Sequence, residues 1–173
     1  MTVSNTSLRR RTFLGVGLAA AGSTLSCAPV PSGGVWRFFT PIQARTVDAI
    51  CAQIIPADQD PGAREAGAVH FIDLQLSKRF KRHRAAYLRG IAWVNNASSS
   101  RFGKPFAELA GEQQIEILNL TEEKEPAFFE LVLAHTRQGF YGDPRHGGNR
   151  NRASWKMLGL PYPPVRGREH YKV

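Results

Sequence analysis

Cysteine is scarce in this 173-residue chain: only Cys27 and Cys51 are present. Two cysteines cannot build a disulfide framework, nor supply a four-ligand zinc site on their own. The histidines are few and scattered. His70, His83, His135, His146 and His170 show no i, i+4 pairing and have no cysteine pair nearby. A metal site would have to be assembled entirely by tertiary structure. The chain has no Cys-x-x-Cys-His for covalent haem, no Gly-x-Gly-x-x-Gly after a strand and no phosphate-binding loop. No serine sits in a recognisable nucleophile elbow. These absences leave a self-standing hydrolase or metal enzyme without support and turn attention to contact with a partner. Long alternating β-branched runs are missing too, so no strand is expected.

Acid is the scarcer charge, with 14 Asp and Glu against 23 Lys and Arg, a net charge of +9. Part of that excess belongs to the N-terminus. Arg9, Arg10 and Arg11 precede Thr12-Phe13-Leu14, and Gly15 to Leu25 is a run of apolar and small residues. This is a charged n-region followed by an h-region. Arg10, Arg11, Phe13 and Leu14 fit the twin-arginine signal, which carries proteins across a membrane already folded. Gly15, Gly17 and Gly22 dilute the h-region, as suits that route, and the run falls short of the ~20 apolar residues of a stable spanning helix. Residues 1–28 are therefore read as a signal segment. Ser26-Cys27-Ala28 reads as a small-x-small cleavage site. Leu25-Ser26-Cys27 also resembles a lipoprotein box, with Thr24 where an apolar residue is preferred, which makes Cys27 a candidate for lipidation. Cleavage after Ala28 removes three Arg and no acid, lowering the net charge from +9 to +6.

Residues 29–39 read as a linker, 40–161 as a helical domain and 162–173 as a polar tail. Within the linker, Trp36, Phe38 and Phe39 form an aromatic tether expected to dock on the first helix. Thr40-Pro41 starts that helix, with Thr as cap and Pro preorganised at the first position. Ile42, Val47, Ile50, Cys51, Ile54 and Ile55 follow at helical spacing, and Cys51 is read as a small core residue. Asp58, Asp60 and Gly62 lack the downstream bidentate Glu of an EF-hand. Asp60 is instead expected to cap the turn of Pro61 to Glu65.

Val69, Ile72, Leu76 and Phe80 make a second helix, running into the basic stretch Lys78, Arg79, Lys81, Arg82, His83 and Arg84. Helix-end complementarity and a solvated face explain such a run; among functional readings, attraction to anionic headgroups or to an acidic partner fits better than nucleic acid. Interleaved aromatics are lacking, and the chain is expected to be exported, so no nucleic-acid partner is expected. A third helix begins near Tyr87 and fades through Asn95-Asn96, and a short one starts near Gly111. Glu125 to Tyr141 is apolar around much of its circumference and is expected to be central, with His135 as a hydrogen-bonded core histidine. The fold expected is all-α, an irregular bundle of four to six helices with a long Gly/Arg-rich C-terminal loop region.

That loop is FYGDPRHGGNRNRASWKMLG, from Phe140 to Gly159. Gly-Asp-Pro and Gly-Gly-Asn mark successive sharp turns. The stretch has no apolar periodicity of its own and must be held in shape by the helices before it. Asp143 is expected to cap the turn or pair with Arg145, and Gly147 and Gly148 to permit a tight backbone. Asn149, Arg150 and Trp155 are candidate partner contacts, Arg and Trp being favoured interface anchors. Asn149 and Trp155 serve equally well, on this reading, as locks between loop and helices.

Three blocks carry a family resemblance: QARTVDAICAQIIPADQDPGAREAGAVHFID, RFGKPFAELAGEQQIEIL and HTRQGFYGDPRHGGNRNRASWKMLGLP. Together they span roughly Thr40 to Pro161, and the chain resembles the gluconate 2-dehydrogenase subunit 3 family. It departs from the expected pattern at His146, where an aromatic is anticipated. The resemblance implies a non-catalytic small subunit that holds no cofactor itself. It further implies a large partner subunit of the glucose-methanol-choline (GMC) oxidoreductase type, which holds FAD and oxidises a sugar or sugar acid. Where a cytochrome c subunit with haem c is present, that subunit passes the electrons to the quinone pool. The small subunit would support folding and export of the large one through the twin-arginine translocase, in the periplasm and associated with the inner membrane. The contrasting expectation, without a partner, is a free-standing periplasmic lipoprotein or binding module.

Overall fold

Residues 36–160 are described in the computed structural model of the chain. The signal residues Arg10, Arg11, Phe13 and Leu14, together with Cys27 and the tail 162–173, lie outside the described residues. Helix α1 (Pro41–Ile54) begins as its sequence dictates. Thr40 Oγ1 accepts from the Gln43 amide at 3.3 Å, and Gln43 Oε1 accepts from the Thr40 amide at 2.9 Å, a reciprocal capping box. The further helices are α2 (Ala68–Ser77), α3 (Arg84–Phe102), α4 (Gly111–Lys124), α5 (Pro126–Tyr141) and α6 (Ala153–Met157). No strand occurs among the described residues. The all-α bundle expected from the periodicity is the fold.

Helix α5 is central, as its apolar circumference requires, and it lies closest to α2. The approach depends on Gly139: a Cβ there would stand 3.1 Å from Ala68 Cα and 3.2 Å from the Ala68 carbonyl oxygen. Glycine facing alanine thus lets two helix backbones touch. Around this contact the apolar faces of α1 (Val47, Ile50, Cys51), α2 (Ile72, Leu76), α3 (Tyr87, Val94), α4 (Ile117) and α5 (Val132, Phe140) close one core.

The structure corrects three sequence expectations. The third helix does not fade at Asn95-Asn96 but continues to Phe102 and stops at Gly103, whose φ is +69°. Asn95 is held in the helix by tertiary partners: its Nδ2 donates to Thr46 Oγ1 at 3.1 Å, and its Oδ1 accepts from the Phe106 amide at 3.1 Å. These bonds outweigh a weak local preference against helix. The helix from Gly111 is not short but 14 residues long. Asp60 does not cap its turn. Asp58 Oδ1 accepts from the Asp60 amide, and Glu65 Oε2 accepts from the Gly62 amide.

The aromatic tether also departs from expectation, because its anchor is α2 rather than α1. Asp73, buried on α2, accepts from three successive backbone amides: Arg37 at 2.8 Å and Phe38 and Phe39 at 3.0 Å each. Trp36 stacks on His70 of α2, with ring centroids 4.8 Å apart. Phe39 is buried beside Tyr87 of α3. A buried carboxylate with three donors is a satisfied anion; the tether supplies the amides that Asp73 needs.

Candidate functional site

The C-terminal loop is built from turn chemistry and then fastened to α5 and to the segment ahead of α2. Asp143 caps the 3₁₀ turn Pro144–His146: its Oδ1 accepts from the Arg145 amide at 3.0 Å, and its Oδ2 pairs with Arg145 Nε at 3.0 Å. The His146 carbonyl accepts from Gln75 Nε2 of α2 at 3.3 Å. Gly147 then adopts φ +100° against Leu74 and the His70 carbonyl. Gly148 presses directly on α5. A Cβ there would overlap the Gly139 carbonyl oxygen and lie 2.8 Å from its carbon.

Asn149 is fully buried and closes the loop from inside. Its amide donates to the Gly139 carbonyl at 2.8 Å, its Nδ2 to the Gly142 carbonyl at 2.9 Å, and its Oδ1 accepts from the Ser154 amide at 3.0 Å. Asn149, Asn151 and Arg152 all have positive φ, at 43°, 56° and 57°. Asn tolerates that region, whereas for Arg152 it is strained. Trp155 on α6 is also buried and donates Nε1–H to the Tyr141 carbonyl at 3.1 Å. Of the three candidate contact residues, only Arg150 stands on the surface. Its amide donates to the Ala66 carbonyl at 2.9 Å, and the stem of its side chain lies over Gly67.

Beside the loop, a groove of about 570 Å³ opens between the C-terminal halves of α2 and α5. Phe71 and Gln75 of α2, with Phe80 beyond it, form one wall. Gln138 and Tyr141 of α5 form the other, and His146 of the loop closes one side. Arg79, Arg137 and Gly142 complete the lining, which contains no acidic residue. Of the basic stretch after α2, Arg84 turns inward: its Nε donates to the Leu76 carbonyl at 2.8 Å, and its guanidinium lies 5.1 Å from the centre of the Phe38 ring. Lys78, Arg79, Lys81 and Arg82 remain exposed.

The interior holds a thiol and two imidazoles, each in its own packed setting. Burial pushes the Cys51 thiol up to about 12, and its sulfur sits 3.3 Å from Thr136 Oγ1. Such a thiol is inert. Burial, with His83 and Arg82 nearby, lowers His135 to about 4, so the imidazole is neutral and packed against Phe80 and Tyr87. His70 is also lowered, first by burial and then by Arg150. Among the described residues no three His, Cys, Asp or Glu side chains cluster as metal ligands. No described helix is long and apolar enough to cross a membrane.

Sequence reasoning found the loop and missed the groove. Asp73 gave a signal in being an acid on the buried face of α2. For Arg79 and Arg137 lining one groove there was none, because that depends on how α2 and α5 pack.

The chain matches no curated protein and no solved structure. The family model described as Gluconate 2-dehydrogenase subunit 3 matches residues 41–161. The matched span runs from the first residue of α1 past the end of α6, taking in the bundle, the groove and the fastened loop; the chain belongs to the gluconate 2-dehydrogenase subunit 3 family.

Proposed function

We propose that this chain is the non-catalytic small subunit of a periplasmic FAD-dependent dehydrogenase complex that oxidises a sugar or sugar acid. In this reading a GMC-type large subunit holds the FAD, and a cytochrome c subunit, where one is present, is a further partner. The small subunit supports folding, twin-arginine export and assembly of the large one. The observation that carries the proposal is the family match across the whole described bundle. The use of the loop's polar side chains agrees with it. Asp143 and Asn149 spend their hydrogen bonds on shaping backbone, which suits a surface presented to another protein. Export as a pair fits the physics of the twin-arginine route, since a cofactor-loaded subunit must cross folded.

A tagged pull-down from the envelope of the native host, with an absorption spectrum of the eluate, tests this. The expected result is a co-eluting polypeptide several times larger, with a flavin spectrum that bleaches on adding a sugar or sugar acid. A colourless single chain would remove the subunit reading. If that chain carried lipid on Cys27, the free-standing lipoprotein would take its place.

A further inference from the structure

We propose that the groove between α2 and α5 receives an acidic segment of the large subunit, with an apolar or aromatic side chain seated on its aromatic walls and carboxylates on Arg79 and Arg137. The proposal rests on the subunit reading above and assigns it a surface.

Charge is the first support. Neither Arg79 nor Arg137 makes a side-chain hydrogen bond or ion pair among the described residues. Each belongs to a stretch nearly free of acid: 78–84 holds none, and 137–157 holds only Asp143, already paired with Arg145. Six of the 14 acids lie instead along α4 and the start of α5, at Glu112, Glu116, Glu122, Glu123, Glu125 and Glu130. Two guanidinium groups lining one groove, with no acid in its lining, suit carboxylates, each of which a guanidinium can bind with two N–H donors.

Shape is the second support, and it separates a peptide from a lipid surface. Phe71 and Gln75 are buried residues, reached only by something that projects into the groove. A flat bilayer surface would touch the exposed Lys78, Lys81 and Arg82 and leave that interior empty. Aromatic walls beside arginines are the composition of an interface anchor pocket. The chain's own remaining segments are the wrong occupants. Residues 1–35 carry three Arg and no acid, and the tail carries Arg166, Arg168 and Lys172 against Glu169. Both would be repelled by a basic groove.

The test is a pull-down of the large subunit from native envelopes with tagged wild-type chain and with R79E/R137E, each checked by thermal melting. Both arginines are exposed, so the variant is expected to melt as wild type does. R79Q/R137Q, which removes charge without reversing it, serves as the second variant. Wild type should recover the flavin-containing subunit, with recovery falling as salt rises. R79E/R137E should recover about tenfold less or worse, and R79Q/R137Q should fall between the two. If wild type and both variants recover it equally, the groove proposal is overturned and the subunit reading stands. If wild type recovers no large subunit, both fail together. Vesicles containing phosphatidylglycerol give the other arm. Loss of vesicle binding by R79E/R137E with undiminished recovery of the large subunit would assign the groove to lipid and overturn the proposal.

Discussion

Tyr87 and His135 share one buried hydrogen bond, hydroxyl oxygen to Nδ1 at 3.0 Å, between rings that lie within 7° of parallel. Burial raises the Tyr87 hydroxyl well above its ordinary value and lowers His135 to about 4, so the phenol keeps its proton and the imidazole is neutral. A histidine neutral when folded and near 6.5 when unfolded takes up a proton on unfolding. The stability it contributes is complete above about pH 6.5 and is lost as the pH falls toward 4. The unfolding free energy from urea titrations should therefore drop across that window, by on the order of 2 kcal/mol. H135F should flatten this part of the profile. An equally steep acid slope in H135F would assign the loss to other groups.

The tether depends on one carboxylate. D73A leaves the amides of Arg37, Phe38 and Phe39 without their acceptor, and D73N turns an NH₂ group toward them. Either substitution should cost on the order of 2 kcal/mol. Either should also free Trp36 from His70 and expose the chain ahead of Thr40 to protease. Circular dichroism melts with limited proteolysis read both effects. Protection equal to wild type would show that the aromatic contacts alone hold the tether.

What was legible in the sequence was what is local. Thr40 and Gln43 stand three residues apart and cap one helix, and Asp143, Gly147, Gly148 and Asn149 carry turn chemistry in their own backbone preferences. The apolar circumference of α5 announced a central helix. What was not legible needed a distant partner. Asn95-Asn96 looked like the end of α3 because nothing nearby in sequence shows Thr46 or the Phe106 amide waiting for Asn95. The tether reads from sequence as docking on α1 rather than α2; both offer an apolar face, and only the fold brings Asp73 beneath three amides. Arg79 and Arg137 line one groove only because Gly139 lets α5 close on α2.

Two glycines separate overlap from backbone strain. At Gly148 an added Cβ would run into the Gly139 carbonyl, where both walls are backbone and cannot turn aside. G148A should cost about 3 kcal/mol and loosen the loop. At Gly103 the same methyl meets nothing within 4 Å, and only φ at +69° opposes it. G103A should cost about 1 kcal/mol. Chemical denaturation of the two variants measures the difference, and equal costs would contradict the close approach of loop and α5.

Asn149 and Arg150 are adjacent, and the structure gives them opposite situations. N149A removes the acceptor of the Ser154 amide and the donor to the Gly142 carbonyl, at a fully buried position. Those losses should cost on the order of 2 kcal/mol. Alanine at φ +43° adds about 1 kcal/mol, which N149G would spare. R150A keeps the backbone bond to Ala66 and removes only an exposed side chain, so stability should change by less than about 0.5 kcal/mol. Its effect should appear instead at His70, which Arg150 helps to lower: the His70 pKa, followed by NMR, should rise in R150A. A large loss of stability in R150A with little in N149A would reverse the assignment, making Arg150 the lock and Asn149 the dispensable neighbour.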